Sequence, residues 1–100
     1  MDKTKYKSFL STVRTSKNEP LTSISINSRV NEVCRVEKEF NVLMDDVVTD
    51  KEKTLDLIES IMQSKNLTER QKNNFPNGVR YYYEFVNGTK LGTLRENNRK

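Results

Sequence analysis

The segment NNFPNGVRYYYEFVNG, at 73–88, constrains the fold most, because it holds five of the eight aromatic residues in the chain. Burial of an aromatic side chain removes about 150–250 Å² from water, so such a cluster favours a core position. The segment therefore predicts the core-forming helix of a bundle and not a surface for stacked bases, with Tyr81 pointing outward beside Arg80. On a helical wheel the large apolar side chains form one stripe, made by Phe75, Val79, Tyr82 and Val86 with Tyr83 and Phe85 on its flanks.

Polar and special residues predict where this helix begins and ends. Asn74 can cap its N-terminus, and Pro76 then lies in the first turn, where a missing amide hydrogen costs little. Gly88 stands where helices often end in the left-handed conformation. We therefore expect a helix over 74–87, after an exposed loop or one irregular helical turn at 65–74.

Three earlier segments show the apolar spacing of amphipathic helices. The spacing predicts helices over 3–13, 24–40 and 50–64. A capping box of Thr49 and Glu52 is expected to open the third of them. The residues expected in the buried stripes are Tyr6, Phe9, Leu10 and Val13, then Ile26, Val30, Val33 and Phe40, and finally Leu55, Ile58, Ile61 and Met62.

The four helices together predict a small all-α, four-helix bundle, which forms one domain over residues 1–88. Residues 89–100 are expected to form a basic tail that is flexible over most of its length. The side chains expected to pack on the bundle from outside the predicted helices are Leu43, Val47 or Val48, Leu91 and Leu94.

The composition argues against catalysis and metal binding. The chain has no histidine, which removes the usual general base near neutral pH and the commonest metal ligand. Its one cysteine, Cys34, can form neither an internal disulfide nor a multi-cysteine zinc site, and its apolar helix face predicts a small core residue. The acidic residues of 45–56 lack the spacing and the glycine of a calcium loop. We therefore expect no enzyme, no cofactor and no metal site.

Signals for secretion or for a membrane span are missing from the sequence. The N-terminal segment MDKTKYKSFL lacks the apolar region of a signal peptide. No apolar run approaches the roughly 20 residues that cross a bilayer. We therefore expect a cytoplasmic protein that does not enter a membrane.

The net charge of +4 is unevenly distributed along the chain. Residues 1–41 carry a net charge of +3, residues 42–64 carry −4, and residues 65–100 carry +5. The ends of compact domains often lie close together, and in that case the basic ends form one face that suits a polyanion. A solvated surface with uneven charge is the alternative interpretation.

Three of the predicted helices, the first, the second and the last, carry residues that together match a known pattern. These residues are Tyr6, Phe9 and Leu10, then Ser28, Arg29, Val30, Val33, Val36 and Glu37, and finally Tyr82, Phe85 and Val86. The arrangement resembles the SAM-like N-terminal domain of phage integrases and other tyrosine recombinases, which is also called the core-binding domain. The similarity covers roughly residues 3–88 and consists mostly of core hydrophobic positions.

The resemblance implies a four-helix domain that clamps duplex DNA and contacts its phosphates with basic and polar side chains. The positions that match the family at such contacts are Arg29 and Arg80. The catalytic domain of that family needs well over a hundred further residues and histidine-containing motifs, which this chain lacks. The tyrosines of 81–83 are therefore not interpreted as a nucleophile.

Basic side chains carry the functional prediction, because they neutralise phosphates without reading sequence. We expect a non-catalytic duplex-DNA-binding domain, either part of a larger integrase-like protein or a free-standing protein of a phage or mobile element. The alternative is a small protein-interaction module of such an element that docks on a host protein, for which the acidic segment 42–64 and an exposed tyrosine argue. The predicted DNA-binding residues are Lys3, Lys5, Lys7, Arg29, Arg35, Lys72, Arg80, Tyr81 and Lys90.

Overall fold

A computed structural model describes residues 2–15 and 17–91, and this part of the chain is an all-α bundle without strands. The predicted fold class is therefore confirmed, and the connection at 41–48 contributes one further helical turn. The helices are α1 (Lys3–Leu10), α2 (Ser23–Phe40), α3 (Met44–Val47), α4 (Lys51–Gln63) and α5 (Glu69–Asn87).

Side-chain oxygens cap α1, α2 and α4 at their N-termini. Asp2 accepts a hydrogen bond from the Lys5 amide, and Thr22 accepts one from the Ser25 amide. The predicted capping box at the start of α4 is wrong by one residue. The cap is Asp50, whose carboxylate accepts hydrogen bonds from two backbone amides of the first turn, as expected for an acidic N-cap.

Helix α5 begins at Glu69, five residues before the predicted cap at Asn74. The hydroxyl of Thr68 accepts a hydrogen bond from the Gln71 amide at 3.1 Å, and the Gln71 side chain accepts one from the Thr68 amide at 2.9 Å. This reciprocal capping box satisfies two backbone donors, and the helix then continues through Pro76. The prediction of a loop or one irregular turn at 65–74 is therefore wrong in its second half, where a regular helix has already begun.

The C-terminal end of α5 lies where the sequence predicts it. Gly88 adopts a φ of 74°, and its amide donates a hydrogen bond to the Glu84 carbonyl. Glycine adopts this left-handed conformation without steric cost, so the chain can turn away from the helix. Three residues later Leu91 is buried, as predicted, whereas the prediction for Leu94 lies outside the described residues.

The core lies between α2, α4 and α5, and α1 packs across α2 and α5. Helix α5 contacts each of the other four helices, which confirms its predicted role as the core-forming element. The side chains that are fully excluded from solvent include Tyr6, Leu10, Val33, Val36, Met44, Val48, Ile58, Ile61 and Val79.

Three residues predicted to be buried are exposed instead. Leu43 is 66% exposed because it precedes the short helix α3, whose first residue, Met44, enters the core in its place. Met62 is 52% exposed, and α4 buries Leu57 on the other side of its stripe. Val86 is 40% exposed near the end of α5. The spacing of apolar residues predicted the position of each buried stripe. The edges of a stripe depend on which neighbouring helix covers them.

A glycine within α5 permits a close contact between α2 and α5. A Cβ atom built on Gly78 would lie 2.9 Å from the Glu32 Cβ and 3.4 Å from the Arg29 carbonyl oxygen. Carbon atoms do not approach to 2.9 Å without displacement, so the two helices can lie this close only where α5 has no side chain.

Replacement of Gly78 by alanine is expected to destabilise the bundle by about 1 kcal/mol. Overpacking costs roughly 1–3 kcal/mol, which exceeds the gain of about 1 kcal/mol from the higher helix propensity of alanine. The melting temperature should then fall by about 4–8 °C in thermal unfolding followed by circular dichroism. Asn77→Ala, at the neighbouring exposed position, is the control and should not lower it; a Gly78→Ala variant as stable as that control would contradict the close contact.

Candidate nucleic-acid interface

The three lysines near the N-terminus are exposed on α1 but do not share one flank of the helix. Lys3 and Lys7 are four residues apart and therefore lie on the same flank. Lys5 lies one turn before Phe9 and shares the flank of that ring. Only Lys5 among the three is therefore on the side of α1 that carries Phe9.

Arg29 is held inside the bundle by an ion pair. Its Nε donates to Glu32 Oε1 at 2.6 Å and its Nη2 donates to Glu32 Oε2 at 2.7 Å. The Arg29 side chain is 19% exposed and that of Glu32 is 9% exposed. This bidentate pair compensates the charge of the guanidinium, so Arg29 is a weaker phosphate contact than the sequence suggests. The only local signal for the pair is the spacing of three residues, which places both on one helix face.

The Arg29–Glu32 pair belongs to a buried polar cluster with Tyr6. Burial raises the pKa of the Glu32 carboxyl, and the neighbouring Arg29 guanidinium acts in the opposite direction. Burial also raises the pKa of Tyr6, and the negative charge of Glu32 adds to this effect. The Tyr6 hydroxyl donates a hydrogen bond to the Gly78 carbonyl at 3.2 Å. The cluster therefore joins three helices and has a structural role.

A second buried tyrosine also has a structural hydrogen bond. The Tyr82 hydroxyl bonds to the Asp45 carboxylate, and burial followed by this bond raises the pKa of Tyr82. Its ring meets that of Tyr6 edge-on, with the ring centroids 4.9 Å apart. Tyr82 therefore links α5 to α3 within the core.

A polar cleft of about 330 Å³ lies where the end of α1 meets the end of α5. We call it the α1/α5 cleft. Of the predicted DNA-binding residues, it brings together Tyr81 and Lys90, and it adds Arg14, which the sequence did not single out. Its lining residues are Phe9, Thr12, Val13, Arg14, Tyr81, Glu84 and Lys90.

Packing on both sides positions the residues of the α1/α5 cleft. The centroids of the Phe9 and Phe85 rings lie 5.5 Å apart, and this contact packs the end of α1 against α5. The backbone of Arg14 pairs with that of Pro20 in an isolated bridge. Leu91, which is 3% exposed, anchors the chain directly after Lys90. The side chains of Arg14 and Lys90 therefore extend from two segments whose backbone is held in place, one after α1 and one after α5.

Tyr81 is less exposed than the sequence predicts. Its ring is half-buried and packs against the core, while it also lines the α1/α5 cleft. Arg80, its neighbour, is half-buried and points about 100° away around the helix. The two residues therefore do not form the outward pair that the sequence predicts.

The charges of the α1/α5 cleft favour an anion. Arg14 and Lys90 contribute two positive charges, and Glu84 contributes one negative charge. Lys5 adds a further cation on the flank of α1 that carries Phe9. The remaining predicted residues are not among those that line this cleft: Arg35 is exposed on α2, and Lys72 lies 3.8 Å from the Glu69 carboxylate in the first turn of α5.

Residues 2–15 and 17–91 contain no group of three or more histidine, cysteine or acidic side chains placed to hold a metal ion. In the same part of the chain no helix is long and apolar enough to cross a membrane. Cys34 is half-buried and packs against the core, in agreement with its predicted helix face.

Comparison with models of protein families found no match to this chain. Searches among curated proteins and among solved structures found no match either. The resemblance to the integrase core-binding domain therefore stays a prediction that rests on the residues of the sequence.

Replacement of Arg29 by alanine is expected to lower the free energy of unfolding by about 3 kcal/mol at pH 7, because the Glu32 carboxylate loses its partner. Burial raises the pKa of Glu32 in the folded state, so the folded protein favours the protonated carboxyl and loses stability as the pH rises through that pKa. Without Arg29, the carboxylate that forms at higher pH has no partner, whereas the protonated form needs none. The cost of the substitution should therefore shrink as the pH falls from about 7 to about 4. Urea unfolding at both pH values measures it.

The matched control for this prediction is Arg35→Ala, which removes an exposed arginine from the same helix. Its effect should stay within about 0.5 kcal/mol at both pH values. An equal cost of Arg29→Ala at both pH values would show that lost packing, and not the charge of Glu32, explains the destabilisation.

Proposed function

We propose that this protein is a non-catalytic duplex-DNA-binding domain of the kind that the integrase resemblance implies. The observation that supports the proposal best is the α1/α5 cleft, where Arg14 lies in one cleft with Tyr81 and Lys90 although more than sixty positions separate it from them. Two cations beside a hydroxyl donor are suited to a phosphate group, which accepts charge-assisted hydrogen bonds.

The charged residues of the cleft, Tyr81 and the nearby Lys5 each have a role in this proposal. Arg14 and Lys90 neutralise backbone phosphates, and Lys5 extends the contact along α1. The Tyr81 hydroxyl donates a hydrogen bond to a phosphate oxygen. Glu84 opposes phosphate at its own position, and its carboxylate suits the amino group of a base such as cytosine.

The size of the bundle suits a short footprint on the duplex. Its extents are 31, 30 and 25 Å, which is close to one helical turn of DNA at about 34–36 Å. A contact of this length to one side of the duplex reaches a small number of phosphates. Lys5, Arg14 and Lys90 supply three such contacts, and one further basic side chain outside the cleft brings the number to about four.

Binding to a 30-base-pair duplex should weaken with salt. For about four neutralised phosphates, the logarithm of the affinity falls with the logarithm of the salt concentration at a slope near −3.6. The double variant Arg14→Ala/Lys90→Ala should bind more weakly and reduce the magnitude of the slope by about 1.8. Fluorescence anisotropy with a labelled duplex from about 50 to 200 mM salt measures both quantities.

The control removes the same charge elsewhere. Lys51→Ala/Lys65→Ala changes two exposed lysines that do not line the cleft, and it should leave the slope nearly unchanged. Equal weakening by both double variants would show that overall charge, and not the cleft, attracts DNA. If the unchanged protein does not bind the duplex at about 50 mM salt, the proposed function is wrong.

A further inference from the structure

A second cavity, of about 340 Å³, lies between the end of α2, the region of α3 and the outer side of α4. We call it the α2/α4 groove. Its exposed lining is mainly apolar, and none of its residues lines the α1/α5 cleft. The groove is lined by Phe40, Val42, Val47, Lys53, Asp56, Leu57 and Ser60.

A stripe of carboxylates runs along one side of this groove. Glu52, Asp56 and Glu59 are spaced four and three residues apart on α4, so they share one helix face. All three are exposed, and Asp56 itself lines the groove. Residues 42–64, which contain both the stripe and most of the groove, carry a net charge of −4.

Lys53 also lines the groove, but the acidic residues outnumber it. It is one of two lysines among six acidic residues within 42–64. Within the lining, Lys53 and Asp56 carry one charge of each sign, so the negative potential near the groove comes from the other carboxylates of this segment, and it disfavours nucleic acid. The same potential attracts cationic partners.

The apolar surface near the groove extends beyond its lining. Leu43 directly follows Val42 in the chain and leaves 66% of its surface in water. Contiguous apolar surface bordered by charged residues is typical of contact sites between proteins, and Leu43 adjoins the groove residue Val42 in the chain. The acidic stripe and this apolar surface together specify the chemistry of the occupant.

We propose that the α2/α4 groove binds a basic amphipathic segment of a partner protein. One or two large apolar side chains of the partner enter the groove beside Phe40 and Leu57. Lysine or arginine side chains on the same segment pair with Asp56 and the neighbouring carboxylates of α4. A helix that lays its apolar face into a groove is an established mode of peptide recognition.

This inference goes beyond DNA binding and does not depend on it. The groove and the α1/α5 cleft share no lining residue, and the segment 42–64 that forms most of the groove carries a net charge of −4, whereas the cleft lining carries +1. A protein with both surfaces can hold DNA at one and a partner at the other. A titration with peptides contains no nucleic acid, so its result is independent of the DNA-binding measurement.

The probes are two synthetic helical peptides of about 14 residues with the same leucines at a spacing of three and four. One carries lysine at its remaining charged positions, and the other carries glutamate. The full chain, labelled with ¹⁵N, is titrated with each peptide, and the backbone amide shifts are recorded. The lysine peptide should bind and shift the amides of Val42, Val47 and Leu57, whereas the glutamate peptide should not bind.

Two variants test the two features of the groove separately. Ser60→Phe places a ring in the groove from an exposed position and should weaken binding of the lysine peptide at least about tenfold. Asp56→Lys reverses one charge of the stripe and should weaken it about fivefold, with a smaller effect at high salt. Glu19→Lys, the matched charge reversal in the exposed loop before α2, should leave the affinity unchanged.

Several results would overturn the proposal. Equal affinity for the two peptides would remove the role of charge, and full affinity in both groove variants would place the peptide elsewhere. Groove amides that move with protein concentration alone would assign the groove to a second copy of the chain. Groove amides that move when residues 92–100 are removed, with no peptide present, would assign it to the chain's own basic segment.

Discussion

The close approach of α2 and α5 at Gly78 is the constraint on which the rest of the bundle depends. Because this glycine has no side chain, Glu32 lies against the backbone of α5. The carbonyl of the same glycine accepts the hydroxyl hydrogen of Tyr6, which is fully buried on α1. One residue therefore joins three helices. Arg29 neutralises the Glu32 carboxylate, which allows a charged group to lie at this contact.

This packing separates two surfaces of different chemistry. Aromatic contacts between Phe9 and Phe85 hold the end of α1 against α5 and create the cationic cleft. Helix α4 packs against α5 through its buried stripe, so its acidic face and the apolar groove remain accessible to solvent. The pairing of Arg29 within the bundle moves the expected DNA contact away from α2 and toward the residues of the cleft. DNA binding and protein binding are therefore compatible proposals that use different surfaces.

Local signals predicted most of the helices but not all of their limits. The period of apolar residues and the glycine at position 88 indicated the correct elements, because both act within about one helical turn. The start of α5 was wrong, since Asn74 with Pro76 and Thr68 with Gln71 both resemble helix starts. Only the second pair forms a reciprocal capping box. Met62 was misplaced for a different reason: the edge of a buried stripe depends on which helix packs beside it.

The sequence by itself determined the all-α class, the core role of the tyrosine-rich helix and the contrast between basic ends and an acidic middle. These properties depend on composition and on spacings of three or four residues. Only the tertiary structure decided that the Arg29–Glu32 pair is buried, and that Arg14 lies in one cleft with Tyr81 and Lys90. Residues more than sixty positions apart meet only when helices pack, and the packing depends on close contacts such as the one at Gly78, which no local period encodes.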